Sequence, residues 1–149
     1  MLIDFSLYVA LFVTAFAAAT ILPVQSEAAL AALLLAGHQP VAVLLAVATT
    51  GNTLGAVLNW WLGGRLSEFQ DRKWFPVSAE KLSRARRWYG SYGRWSLLLS
   101  WVPIIGDALT VAAGLMHERL LPFILIVGLA KFSRYVVVAA AVLGIFGRL

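Results

Sequence analysis

The chain has no cysteine and only two histidines. The first absence excludes disulfides and thiolate metal sites, and the second leaves too few imidazoles for a buried metal cluster. Charge is also scarce: Asp, Glu, Lys and Arg make up 13% of the sequence, where soluble domains carry about 25%. What fills the gap is apolar, with 61% hydrophobic residues and a mean hydropathy of +0.84. A globular core of 149 residues cannot bury that much apolar surface, so the composition predicts an all-α integral membrane protein. At about 20 apolar residues per crossing there is room for three or four spanning or partly spanning segments in one domain over 1–149.

The N-terminal run MLIDFSLYVALFVTAFAAATILP has the apolar stretch and the Ala17-Ala18-Ala19 of a secretory signal, but no basic residue precedes them. It is expected to remain as inserted structure. The sequence pI of about 10.1 does not point to nucleic acid, because eight of the twelve basic residues fall between Arg65 and Arg94, flanked by apolar segments. The positive-inside rule places such a loop, 65–94, in the cytoplasm.

Val41 to Gly63 carries no formal charge over 23 residues and, as a helix of about 34 Å, can cross the hydrocarbon core. It ends at Trp60-Trp61 and Gly63-Gly64-Arg65, an aromatic anchor with a basic flank. Within the basic loop, Ser78 as N-cap and Gly90 as stop predict a short amphipathic helix carrying Lys81, Arg84, Arg86, Arg87, Trp88 and Tyr89 into the headgroup layer. From Trp95 only eight residues precede Pro103, and Ala108 to Met116 is equally short. This predicts a re-entrant hairpin broken at Pro103 to Asp107 that returns at His117-Glu118-Arg119. The last segment, Leu120 to Gly147, can span despite Lys131 and Arg134.

At an offset of 80 residues, Leu22-Pro23-Val24-Gln25-Ser26-Glu27-Ala28 aligns with Val102-Pro103-Ile104-Ile105-Gly106-Asp107-Ala108. Ala32 matches Ala112, Leu35 matches Leu115, and turns holding His38 and His117 correspond. Gly64-Arg65-Leu66 is echoed by Gly147-Arg148-Leu149. These matches predict a duplication, repeat 1 at about 5–66 and repeat 2 at about 95–149, each with an entry segment, a Pro-broken hairpin and a spanning helix. One crossing per half makes the repeat inverted, as in many secondary transporters, whereas a spanning first segment makes it parallel.

Glu27, Asp107, Lys131 and Arg134 then lie at membrane depth, at roughly 2.5–3.5 kcal/mol each on insertion scales. One reading is structural ion pairing between hairpins and helix. The other, favoured because the carboxylates recur at equivalent broken-helix positions, is a hydrated polar site. In it Glu27 and Asp107 exchange protons, while Lys131, Arg134 and Tyr135 receive an anionic headgroup. Pro23, Ser26, Pro103 and Gly106 form the breaks, and Asn52, Ser133 and Gln25 are candidate hydrogen-bonding groups. Gly51 and Gly55 with Ala48 make a small-residue face suited to close helix packing.

The segments LPVQSE, GNTLGAVLNWWLGGR, RWYGSYGRWSLLLSWVPIIGDALTVAAGL and KFSRY together resemble the YqaA-like branch of the DedA, or VTT-domain, membrane proteins. The resemblance runs through nearly the whole chain, with SWVPIIGD followed by AAG as its most specific part. It implies two re-entrant hairpins in inverted repeat, a bacterial cytoplasmic-membrane location, and movement of phospholipid or polyprenyl-phosphate carriers, with proton coupling suspected. By the same resemblance Glu27 matches the acidic residue of the first hairpin and Pro103 the proline of the second. Gly51, Gly55, Gly63 and Arg65 fit the glycine pattern of the following helix. The chain departs from the better-studied branch at Asn52, where that branch is acidic, and at Ser100 and Gly106, where it has arginines.

The expected function is thus a lipid flippase or scramblase with membrane lipids and protons as partners, no cofactor, no metal and no nucleic acid, and a homo-oligomer left open. The alternative is a non-transporting scaffold that docks anionic lipids or a partner through its basic, Trp-rich loop. A headgroup enzyme finds no Ser-His pair and no acidic metal cluster in this sequence, so no catalytic residue is expected.

Overall fold

The computed structural model describes residues 1–20, 25–65, 78–102 and 105–146, and among these the chain forms helices and no strand. The elements are α1 (Leu2–Thr20), α2 (Gln25–Ala36), α3 (Val41–Gly64), α4 (Ala79–Tyr92), a 3₁₀ segment (Gly93–Trp101), α5 (Ile105–Leu115) and α6 (Leu120–Phe146). Three of them, α1, α3 and α6, are long and apolar enough to cross a membrane. At 1.5 Å per residue, the 12 residues of α2 and the 11 of α5 reach only about 17 Å, half the hydrocarbon thickness.

Glycine sets how α1 meets α3. A Cβ on Gly51 would stand 2.6 Å from the Phe12 carbonyl oxygen, and one on Gly55 would stand 2.5 Å from that of Phe16. Only a bare backbone allows this approach, and the four-residue spacing on both helices repeats it one turn on. Asn52 and Asn59 then donate from α3 to the Ala15 and Ala19 carbonyls at 3.0 and 2.8 Å. Because both registers rise together, α1 and α3 run parallel. The chain must therefore be carried back between them, and α2 does so: Gln39, just ahead of α3, donates to Asp4 in the first turn of α1 at 3.2 Å. The α1–α2 hairpin begins and ends level with the start of α3.

The second hairpin, made by the 3₁₀ segment and α5, begins and ends at the other end of α3. Arg94 pairs with Glu118 at 3.3 Å, and the Trp60 indole donates to the Glu118 carbonyl at 2.9 Å. Gly63 and Gly114 sit where α3 and α5 touch backbone to backbone, against Val111 and Trp60. Trp60 also packs on Phe123 with ring centroids 6.2 Å apart, while Leu44 and Ala48 share a cluster with Tyr135 and Ala139. The long helices α3 and α6 are thus antiparallel. The packing repeats under exchange of halves: α1 lies on α3 as the 3₁₀ segment lies on α6, and α2 lies on α6 as α5 lies on α3.

The turns after α2 and α5 place Gly37 at φ +70 and His117 at φ 55, positions 80 residues apart. Two expectations are corrected. Gly90 does not end the amphipathic helix; Ser78 caps it as expected, accepting from the Lys81 amide at 3.4 Å, but it runs to Tyr92 and ends at Gly93. There φ 62 and ψ −150 lie in a region open essentially to glycine alone. The second break is also shorter than expected, since Gly106 and Asp107 already belong to the first turn of α5. Pro23, Pro103, residues 66–77 of the basic loop and the C-terminal Gly147-Arg148-Leu149 lie outside the described residues.

Gly63→Val and Gly114→Val are expected to cost about 1–3 kcal/mol each, because a side chain must push two backbones apart. Gly144→Ala, which meets open space, should leave stability within about 0.5 kcal/mol. Unfolding midpoints in detergent check the contrast.

Candidate functional site

Glu27 and Asp107 are each the third residue of a short helix, where the helix dipole favours a carboxylate. Both meet α6, whose Lys131 and Arg134 are three residues apart and so share a face. Glu27 pairs with Arg134, and Asp107 pairs with Lys131 at 3.6 Å. Both cations lie near the middle of a 27-residue helix, which puts the pairs near mid-membrane. The cations are not free anion receptors, since each already faces a carboxylate.

Neutral groups surround the pairs. The Tyr135 hydroxyl donates to Ser26 Oγ at 3.0 Å, and Asn52, midway along α3, lies beside it. Thr110 donates to the Asp107 carbonyl at 2.7 Å and receives the Asn59 amide at 3.2 Å. Gly106 lets α5 press on Ser100, where a Cβ would come within 2.6 Å of backbone atoms. Its contribution is this close approach, which corrects its expected place in the break. Ser26 likewise lies inside the first turn of α2.

The two pairs differ in access. The Lys131 side chain is 3% exposed against 19% for Asp107, a nearly sealed pair. Arg134 and Glu27 are 13% and 25% exposed, and both line an open cavity of about 360 Å³ with Trp101, Val102, Val137 and Val138. The cavity brings α2, the end of the 3₁₀ segment and α6 together. Other predicted groups lie elsewhere: Ser133 donates to its own helix at Leu129 and is exposed, as are Gln25, His38 and His117. Among the described residues no group of three His, Asp or Glu could hold a metal ion.

Sequence reasoning missed Asn59, Thr110 and Glu118. Asn59 stands seven residues after Asn52, two turns along one face, a spacing that the sequence itself displays. Glu118 accepts from Tyr89, pairs with Arg94 and offers its carbonyl to Trp60, joining α4, the second hairpin and α3. Burial, with the Glu118 carboxylate alongside, pushes the Tyr89 phenol far above its usual pKa, so it stays a neutral donor.

Comparison with known proteins decides what this arrangement belongs to: residues 22–143 match the VTT domain. The chain belongs to the VTT-domain family. This VTT-domain chain is 41% identical over 133 residues to inner membrane protein YqaA of Escherichia coli K12, covering 88% of this chain and 87% of that protein. The same figures hold for YqaA of Shigella flexneri. A Haemophilus influenzae protein of uncharacterised role is 32% identical over 133 residues, covering 85% and 81% of the two chains. No solved structure matches. With its three long apolar helices, the VTT-domain chain is a multi-pass protein of the bacterial inner membrane.

Asp107→Asn is expected to destabilise by about 3–5 kcal/mol, because it leaves Lys131 charged, sealed and unpaired. Glu27→Gln should cost less, since Arg134 reaches an open cavity. Asp107→Leu with Lys131→Met should recover most of the loss. Thermal unfolding of the purified variants reads all three.

Proposed function

We propose that this VTT-domain protein moves a phosphate-bearing lipid, a phospholipid or a polyprenyl phosphate, between the leaflets of the inner membrane. The observation that carries the reading is the Glu27–Arg134 pair, held near mid-membrane beside an open cavity whose other walls are apolar. In this reading the two hairpins dip into the bilayer from opposite faces as halves of an inverted repeat, α1 being long enough to cross but carried back by α2 to the level of its own start. Their mouths at opposite ends of the antiparallel α3 and α6 support that inversion. The basic α4 end is the cytoplasmic one.

A headgroup entering the cavity takes over the Arg134 guanidinium, whose planar fork suits a phosphate oxygen pair. Glu27, displaced, loses its cation and accepts a proton, which keeps the buried charge constant during the exchange. The lipid chains stay in the hydrocarbon throughout, alongside Val137 and Val138. Asp107–Lys131 clamps the second hairpin to α6 meanwhile. The protein's part is passage and charge exchange, with no bond made or broken in the lipid.

The test is movement of fluorescent phospholipid and of a polyprenyl phosphate in reconstituted vesicles, with and without a pH gradient. Glu27→Gln and Arg134→Gln should each slow movement more than tenfold, while Ser133→Ala leaves it unchanged. Equal movement by all variants would remove the pair from the pathway. No movement by the unaltered protein would favour the scaffold reading, which the basic, lipid-level α4 supports.

A further inference from the structure

At the mouth of the second hairpin, the chain makes an elbow where α4 meets the 3₁₀ segment. Gly93 makes the bend, in its glycine-only conformation. Buried Leu82, Ala85 and Tyr89 hold one face of α4 to the helices beneath, which turns its other face outward. The concave side encloses an open cavity of about 710 Å³ lined by Arg87, Trp88, Ser91, Tyr92, Trp95 and Leu99. The 3₁₀ period of three keeps Ser96 and Leu99 in line, so the wall continues from polar to apolar.

Three observations define what fits there. The wall is aromatic and open, with Tyr92 and Trp95 both 67% exposed, Trp88 43% exposed, and Trp88 and Tyr92 edge to face at 6.4 Å. Its one lining cation, Arg87, has no carboxylate partner among the described residues, whereas Arg84 pairs with Glu80 and Arg94 with Glu118. The helix as a whole is positive, with Lys81, Arg84, Arg86 and Arg87 against Glu80. A small soluble anion would satisfy Arg87 yet leave three aromatic side chains in water. A lipid satisfies both, since such rings favour the membrane interface and the cation favours a phosphate.

We infer that this elbow binds one anionic glycerophospholipid at the basic face of the membrane. The phosphate lies on the Arg87 guanidinium, the glycerol esters lie against Trp88, Tyr92 and Trp95, and an acyl chain runs past Leu99 into the hydrocarbon. This site does not depend on transport by the Glu27–Arg134 pair, and its test reads binding alone.

Native mass spectrometry of the full-length protein in detergent, titrated with phosphatidylglycerol, phosphatidylcholine or inorganic phosphate, is the experiment. One phosphatidylglycerol should be retained in preference to phosphatidylcholine. Arg87→Gln should weaken it by about tenfold, the scale of a lost charge-assisted contact, and Arg84→Gln by less than about twofold. Trp95→Ala and Tyr92→Ala should weaken it with the charge unchanged; both positions are exposed, so unfolding midpoints should hold. Equal retention of phosphatidylcholine, or equal losses for the two arginine variants, would overturn the site in favour of diffuse attraction. Displacement of the lipid by inorganic phosphate would overturn it in favour of a soluble anion.

Discussion

Two carboxylates rest near the middle of a bilayer because two cations on one face of α6 meet them there. Each charge alone would cost roughly 2.5–3.5 kcal/mol at a helix centre, and each pair couples a different short helix to the same long one. A helix of 11 or 12 residues cannot cross, and its leading amides need partners at depth. Anchoring the first turn of α2 and of α5 to α6 brings both hairpins to one level. Beside that anchorage, bare glycine backbones let α1 and α5 lie close against α3.

The halves are alike in backbone and unlike in charge. Equivalent carboxylates occupy equivalent turns, yet both cations belong to α6, and α3 carries none along its length. That asymmetry gives the pairs different surroundings. Asp107–Lys131 is the more closed pair, with Lys131 buried, while Glu27–Arg134 borders an open, otherwise apolar cavity. A sealed pair holds elements together, and a pair beside a cavity can exchange partners. In the proposed reading, fastening falls to the first of these pairs and exchange to the second.

Much of this is legible in the order of residues alone. Hydropathy marks α3 and α6 because long apolar runs are what a crossing requires, and the offset of 80 pairs the turns at Gly37 and His117. The four charges of the two pairs and the glycine face of α3 are legible for the same local reasons. Which carboxylate meets which cation is not, because that depends on the direction in which helices pack, and i, i+3 spacing leaves both pairings open. Asn59 with Thr110 and Glu118 with Tyr89 join residues 51 and 29 apart in sequence, which no local pattern encodes. Gly90 looks like a helix stop because glycine often is one; the actual stop, Gly93, is distinguished only by a backbone angle.

Reversing the pair at the cavity separates fastening from exchange: lipid movement by the double variant Glu27→Arg, Arg134→Glu is measured in vesicles, alongside its unfolding midpoint. A structural bridge tolerates either orientation, at a dipole cost of about 0.3–1 kcal/mol for a cation in the first turn of α2, whereas an exchange site needs its guanidinium on α6, facing the cavity. The reversed protein should fold with a midpoint lowered only slightly, by the dipole cost, and move lipid more than tenfold more slowly. Movement at the unaltered rate by the reversed pair would contradict exchange at this site and leave Glu27–Arg134 a fastening alone.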